Sequence, residues 1–75
     1  MTVGAEYVEM AVALEELPER FARVRKRRGL TYRQAAAEMG GLPNAGNLCQ
    51  FEHRERGASL VTAARILRWL AEHDG

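Results

Sequence analysis

The sequence predicts an all-α fold, a compact bundle of four to five helices. Apolar residues recur at three- and four-residue spacing along most of the chain, which is the pattern of helices with one buried face. Glycines and potential capping residues separate these segments. A length of 75 residues with 47% hydrophobic content fits one small globular domain.

Residues 1–16 form an N-terminal extension that can be interpreted in two ways. A helix over about residues 5–16 is predicted by a stripe that continues into the next segment: Tyr7, Met10, Leu14, Leu17, Phe21 and Val24. A strand is the alternative, since four residues alternate: Val8, Met10, Val12 and Leu14. The alanine and glutamate content favours the helix. Either form is a possible packing or dimerisation element.

Pro18 predicts the start of the next helix, because proline suits the first helical position, where an amide hydrogen would be unbonded anyway. That helix is expected over about residues 18–28. Gly29 supplies a left-handed stop, and the basic run from Arg25 to Arg28 suits the negative end of the helix dipole.

Two short helices are expected next. Thr31 and Gln34 are spaced as a capping box, which predicts a helix over about residues 32–39 that ends at Gly40. The following helix, over about residues 44–54, places Leu48 and Phe51 on one face. Asn44, Asn47 and Gln50 recur at three-residue spacing on another face.

Ser59 is a plausible N-cap for a last helix over about residues 60–73. Its apolar face is predicted to comprise Leu60, Ala63, Ala64, Leu67, Leu70 and Ala71. Ile66 and Trp69 lie beside that stripe and widen it, so this helix is expected to pack on two sides.

The net charge of +1 conceals a strong asymmetry. Up to residue 19 the charged residues are all acidic: Glu6, Glu9, Glu15, Glu16 and Glu19. From residue 20 to 33 they are all basic: Arg20, Arg23, Arg25, Lys26, Arg27, Arg28 and Arg33. Such a block indicates polyanion binding, and a solvated helix face is the alternative. The single cysteine and the lack of a secretory or membrane-spanning segment favour the reducing cytoplasm.

From Leu17 to Leu70 the chain resembles the Xre/Cro-type, lambda-repressor-like helix-turn-helix regulators. The segment RKRRGLTYRQAAAEMG is similar to the first helix, glycine, capped second helix and closing glycine of that family. The segment NLCQFEHRERGASLVTAARILRWL is similar to its third helix, exit loop and fourth helix. The resemblance implies a helix-turn-helix DNA-binding domain over residues 17–75.

The resemblance also implies roles for individual residues. Base contacts fall on Asn44, Asn47 and Gln50, whose amides can hydrogen-bond adenine N6 and N7 in the major groove. Phosphate contacts are expected from Tyr32 and Arg33 at the start of the second helix. Further phosphate contacts are expected from Arg27, Arg28, His53, Arg54 and Arg56. Arg25 and Glu52 match a structural ion pair of the family.

The chain departs from the family pattern in the connection from Gly40 to Leu48, which is longer than the usual turn and leaves the register of the third helix open. Ala45 and Gly46 bring no side-chain hydrogen bonds to positions that often carry polar readers. Residues 5–16 are a candidate replacement for the fifth helix of many relatives.

No catalytic set of nucleophile, base and orienting group is visible, so the chain is not expected to be an enzyme. Cys49 and His53 lie four residues apart and make at most half a zinc site, so no metal or cofactor is predicted. The expected function is a sequence-specific, DNA-binding transcriptional regulator, a bacterial or phage repressor that binds double-stranded DNA as a homodimer. The alternative is a protein-interaction module, such as an antitoxin or regulator subunit, with residues 1–16 binding the partner.

Overall fold

Four α-helices make up the described part of the chain, which in this computed structural model is residues 3–74 for the backbone and 7–74 for the side chains. The helices are α1 (Val3–Arg27), α2 (Tyr32–Glu38), α3 (Ala45–Glu52) and α4 (Leu60–His73). Over these residues no strand is present, and the predicted all-α class is confirmed.

The first helix is longer than the sequence indicates. It runs for 25 residues without interruption, and Pro18 lies inside it. The strand alternative for residues 5–16 is therefore wrong, and so is the helix boundary at Pro18. A proline at the start of a helix and one within a helix look alike in sequence. Here the apolar stripe continues from Leu14 through Leu17 to Phe21 across the proline.

Local signals set the other helix ends. The Thr31 hydroxyl accepts from the Gln34 amide at 3.1 Å, and the Gln34 side chain accepts from the Thr31 amide at 2.8 Å, which confirms the capping box. Ser59 caps α4 by accepting from the Thr62 amide, as predicted. Gly29 has a φ of 67° just after α1, where a left-handed residue closes the last turn.

All four helices contribute to one core. Its largest fully buried side chains are Trp69, Phe21, Leu17, Leu48, Ile66, Leu70 and Val24. Phe21 lies at the centre, with its ring 5.5 Å from that of Trp69 and 6.3 Å from that of Phe51. Ala35 and Ala36 of α2 are buried too, and their small side chains let α2 pack closely on α3.

The buried face of α4 differs from the predicted stripe. Ala63, Ile66, Trp69 and Leu70 are buried, whereas Leu60 is 87% exposed and Leu67 is 40% exposed. The apolar residues of α4 spread over more than one side of the helix. The large side chains of Trp69 and Ile66 are buried in the core, where Trp69 packs against Phe21. The buried face of α4 therefore combines Ala63 and Leu70 of the predicted stripe with Ile66 and Trp69, which the sequence predicts to lie beside it.

The N-terminal half of α1 extends beyond this core. From residue 7 onward, where side chains are described, Leu17 is the first buried residue of the helix. Tyr7, Met10 and Leu14 continue the same stripe into solvent. A helix of this length is ~37 Å long, and the long dimension of the molecule is 44 Å. We call residues 3–16 the α1 overhang. None of the described helices is long and apolar enough to cross a membrane.

Candidate nucleic-acid interface

The two faces of α3 differ in burial and chemistry. Leu48 and Phe51 are buried and anchor the helix to α1 and α2. On a neighbouring side, Asn47 and Gln50 are exposed and lie three residues apart, so their amides project side by side. Within the described residues, neither side chain has a hydrogen-bond partner. Two free amides on a rigid helix form a surface that can pair with the edges of bases.

Asn44 differs from the other two predicted base readers. It is the N-cap of α3, and its Oδ1 accepts from the Asn47 amide at 2.8 Å. A bidentate contact with adenine needs both the carbonyl and the amide of the side chain. Because the carbonyl is engaged by the helix, Asn44 is better suited to positioning Asn47 and Gln50 than to reading a base.

Gly46 lies beside this amide pair on the exposed face of α3. A Cβ built at this position would have only the Asn44 Oδ1 near it, at 3.5 Å, so the protein itself does not require glycine here. The absence of a side chain lets the backbone of α3 approach a flat or grooved surface closely.

Arg25, Tyr32 and Glu52 join three helices at one end of this surface. Arg25 donates to Glu52 through Nε at 2.8 Å and through Nη2 at 3.1 Å. Its Nη1 donates to the Leu30 carbonyl at 2.9 Å. The Tyr32 hydroxyl donates to Glu52, and the Arg25 guanidinium stacks 4.3 Å from the centre of the Tyr32 ring. The structure thus brings Arg25 and Glu52 together, but it turns the Tyr32 phenol inward.

These contacts shift the pKa values of the three groups. Burial raises the pKa of the Tyr32 phenol to about 12, and the hydrogen bond to Glu52 adds to the rise. Burial also acts to raise the pKa of the Glu52 carboxyl, but the hydrogen bonds from Arg25 and Tyr32 outweigh it and hold that pKa below its ordinary value. The hydrogen bond to Glu52 raises the pKa of Arg25. At neutral pH the network therefore consists of a cation, an anion and a neutral phenol.

A second network holds the end of α2 against α1 and α4. Arg28 donates to both carboxylate oxygens of Glu38, at 2.6 and 3.1 Å, and the Trp69 Nε1 donates to the same carboxylate at 3.0 Å. The hydrogen bonds from Arg28 and Trp69 lower the pKa of the Glu38 carboxyl. Arg27 donates to the His73 carbonyl at 2.7 Å. Arg27 and Arg28, both expected at phosphates, are therefore engaged within the protein.

Arg54 is also engaged within the protein. Its Nη2 donates to the Glu15 carbonyl at 2.6 Å and to the Glu19 carboxylate at 3.2 Å. Its φ of 58° closes the last turn of α3 in the position that glycine usually occupies. No local sequence signal indicates this contact, because its partners precede Arg54 by 39 and 35 residues.

Arg33 and Arg56 are the predicted phosphate-contacting arginines whose side chains form no ion pair or hydrogen bond within the described part of the chain. Both are exposed. Arg33 lies in the first turn of α2, next to Tyr32, and the Tyr32 ring is 6.4 Å from that of His53 at the end of α3. Arg56 follows in the exit loop. Arg33 and Arg56 are thus free cations on the segments that precede and follow α3 in the chain.

His53 and Cys49 form a local pair. The Cys49 Sγ lies 3.7 Å from the His53 Nδ1, which is also 2.9 Å from the Cys49 carbonyl oxygen. Among the residues that the structure describes, no third potential ligand joins them to hold a metal ion. The His53 ring stays exposed.

Comparison with protein-family models, with curated proteins and with solved structures finds no significant match.

Proposed function

We propose that this chain is a sequence-specific DNA-binding transcriptional regulator in which α2 and α3 act as a lambda-repressor-like helix-turn-helix. The observation that carries the proposal is the pair of free, exposed amides at Asn47 and Gln50, on a helix that Leu48 and Phe51 anchor in the core. Exposed side chains that are not used by the fold, on a rigid element, are the ordinary means of direct base readout.

The distribution of charge supports the same function. Several arginines near α2 and α3 are paired with carboxylates, but Arg33 and Arg56 have no partners in the described residues. Phosphate contacts fix the register of a protein on the duplex, while base contacts select the sequence. In the proposed arrangement Arg33, at the start of α2, contacts a phosphate while α3 reads the bases.

Gly46 strengthens this interpretation. The first turn of α3 has no bulk on its exposed side, so its backbone can enter the major groove deeply enough for Asn47 and Gln50 to reach base edges. Adenine is the preferred target, because an asparagine or glutamine amide can bond to both N6 and N7.

The test is a selection of binding sequences from a random library of double-stranded DNA, followed by fluorescence anisotropy on the selected duplex and on a scrambled one. Asn47→Ala and Gln50→Ala are each expected to lower the specific affinity about tenfold, since one bidentate contact discriminates by ~1–3 kcal/mol. Binding to the scrambled duplex is the internal control and should be unchanged. Enrichment of no sequence, or equal losses on both duplexes, would refute the proposal.

A protein-interaction module is the second candidate, and the exposed apolar residues of the α1 overhang favour it. These are Tyr7, Val8, Met10, Val12 and Leu14. This function predicts that the same selection enriches no DNA sequence, so one experiment separates the two candidates.

A further inference from the structure

The apolar stripe of α1 has two environments. Leu17, Phe21 and Val24 are buried, whereas Tyr7 and Met10, on the same face, are 66% and 60% exposed. At 100° per residue, Tyr7, Met10 and Leu14 lie within about 60° of one another on the helix. Val8 and Val12 lie on a different side. The overhang therefore presents one coherent apolar strip that has no cover within the described part of the chain.

A groove begins where this strip ends. It has a volume of about 460 Å³, and its apolar lining includes Leu14, Leu17, Phe51, Leu60 and Ala63. Leu60, at its edge, is 87% exposed. The strip and the groove are continuous at Leu14, so one molecule carries both an uncovered helix face and an uncovered apolar cleft.

The charges of the two surfaces are opposite. Between Tyr7 and Glu19 the charged residues of α1 are all acidic, and the groove is lined by Arg54 and Arg56. Arg54 is already paired with the Glu19 carboxylate and the Glu15 carbonyl of its own α1, so Arg56 is the cation of the groove without a partner in the described residues. Arg56 is exposed at the rim.

We infer that a second copy of this chain covers these surfaces, with the α1 overhang of each copy seated in the groove of the other. A two-fold pair uses the same patch on both molecules, so a surface with a helix and a matching cleft is self-complementary. The inference concerns the free protein and does not rest on DNA binding.

The dimensions fit this pairing. The overhang is ~20 Å long. A standard stable interface buries about 800 Å² per partner, which the overhang and the groove of each copy would supply together. When the two overhangs run antiparallel with the axis between residues 10 and 11, Tyr7 of one copy lies opposite Leu14 of the other. Met10 then lies close to its symmetry mate.

Sedimentation equilibrium of the full chain over a concentration series, without DNA, tests the inference. A monomer–dimer equilibrium is expected for the wild type. Met10→Lys and Leu14→Lys each place a cation in the seam and should raise the dissociation constant at least tenfold. Val12→Lys introduces the same charge on the other face of the helix, so it is the matched control and should change the constant less than twofold. Circular dichroism verifies that every variant stays helical.

A cysteine cross-link tests the geometry independently. In a Cys49→Ala background, Met10→Cys should form an intermolecular disulfide under mild oxidation, and Val12→Cys should form much less. A wild-type chain that stays monomeric at all concentrations would overturn the inference, because a different protein would then have to cover the strip. A dimer that is disrupted by Val12→Lys but not by Met10→Lys would overturn it as well.

Discussion

Arg54 donates a hydrogen bond of 2.6 Å to the carbonyl oxygen of Glu15, in the turn of α1 that precedes Pro18. Pro18 has no amide hydrogen, so the carbonyl of Leu14, four residues earlier, lacks its helical donor. The guanidinium binds the neighbouring carbonyl, that of Glu15, from outside the helix. The end of α3 is thereby attached to the point where the overhang leaves the core.

Two substitutions of Arg54 can separate the cost of its backbone conformation from the contribution of its side-chain contacts. Its φ of 58° is unfavourable for a residue with a Cβ, by ~1 kcal/mol relative to glycine. Arg54→Ala loses the contacts with Glu15 and Glu19 and keeps the strain. Arg54→Gly loses the same contacts and removes the strain. In urea denaturation the glycine variant should be more stable than the alanine variant by ~1 kcal/mol, and equal stabilities would show that the turn is not strained.

Because the pKa of the Glu52 carboxyl is lowered by folding, the free energy of unfolding should depend on pH in the acidic range. The unfolded chain binds the proton first as the pH falls below the ordinary value of 4.5. The stabilisation from Glu52 is complete above pH 4.5 and is lost as the pH falls through the pKa of Glu52 in the folded protein. Glu52→Gln should flatten this part of the profile of unfolding free energy against pH. The carboxyl of Glu38, whose pKa is also lowered, leaves a residual slope that Glu38→Gln should reduce separately.

Tyr32 should titrate far above a free phenol. Tyr7→Phe leaves Tyr32 as the only tyrosine, so phenolate absorbance then reports one group. The midpoint is expected at about 12, compared with 10.0 for an unperturbed phenol. Folding favours the neutral form of Tyr32, so Tyr32 contributes to stability below pH 10.0. This contribution is lost as the pH rises towards the pKa of Tyr32 in the folded protein. Glu52→Gln in the same background should lower the midpoint without restoring 10.0, because burial persists. A midpoint unaffected by Glu52→Gln would contradict the inward orientation of the phenol.

Local signals account for what the sequence predicts correctly. Thr31 with Gln34, Ser59 and Gly29 fix the ends of their helices through groups within a few residues, so their roles are visible without the fold. Pro18 and Arg54 depend on contacts across the chain. The sequence cannot show that α1 continues through the proline, or that Arg54 closes a turn and reaches Glu15.

The candidate site likewise has one feature that the sequence predicts and one that only the structure reveals. The spacing of Asn44, Asn47 and Gln50 predicts one exposed row, and all three are exposed. Their different roles follow from one backbone feature, the start of α3 at Ala45, which makes Asn44 the cap. Because the long connection from Gly40 leaves that start open in the sequence, the distinction needs the structure.

Asn44 can be tested as a cap separately from base reading. Asn44→Ala removes the acceptor of the Asn47 amide and should cost ~1 kcal/mol of unfolding free energy. Asn44→Ser keeps a capping oxygen but removes the side-chain amide, so stability and the preference for the selected duplex should both be retained. Loss of that preference in Asn44→Ser, with stability unchanged, would instead assign Asn44 a base contact.

Arg33 tests the electrostatic part of the proposed interface. As an exposed cation in the first turn of α2, without a partner in the described residues, it is expected to neutralise one phosphate. Arg33→Ala should weaken binding to the selected and scrambled duplexes alike, and should reduce the slope of log affinity against log salt by about 1. Arg68→Ala removes the same charge from the exposed side of α4, in the separate groove beside Glu38, and is the matched control. Equal effects of the two variants would mean that DNA responds to net charge alone and that Arg33 holds no particular phosphate.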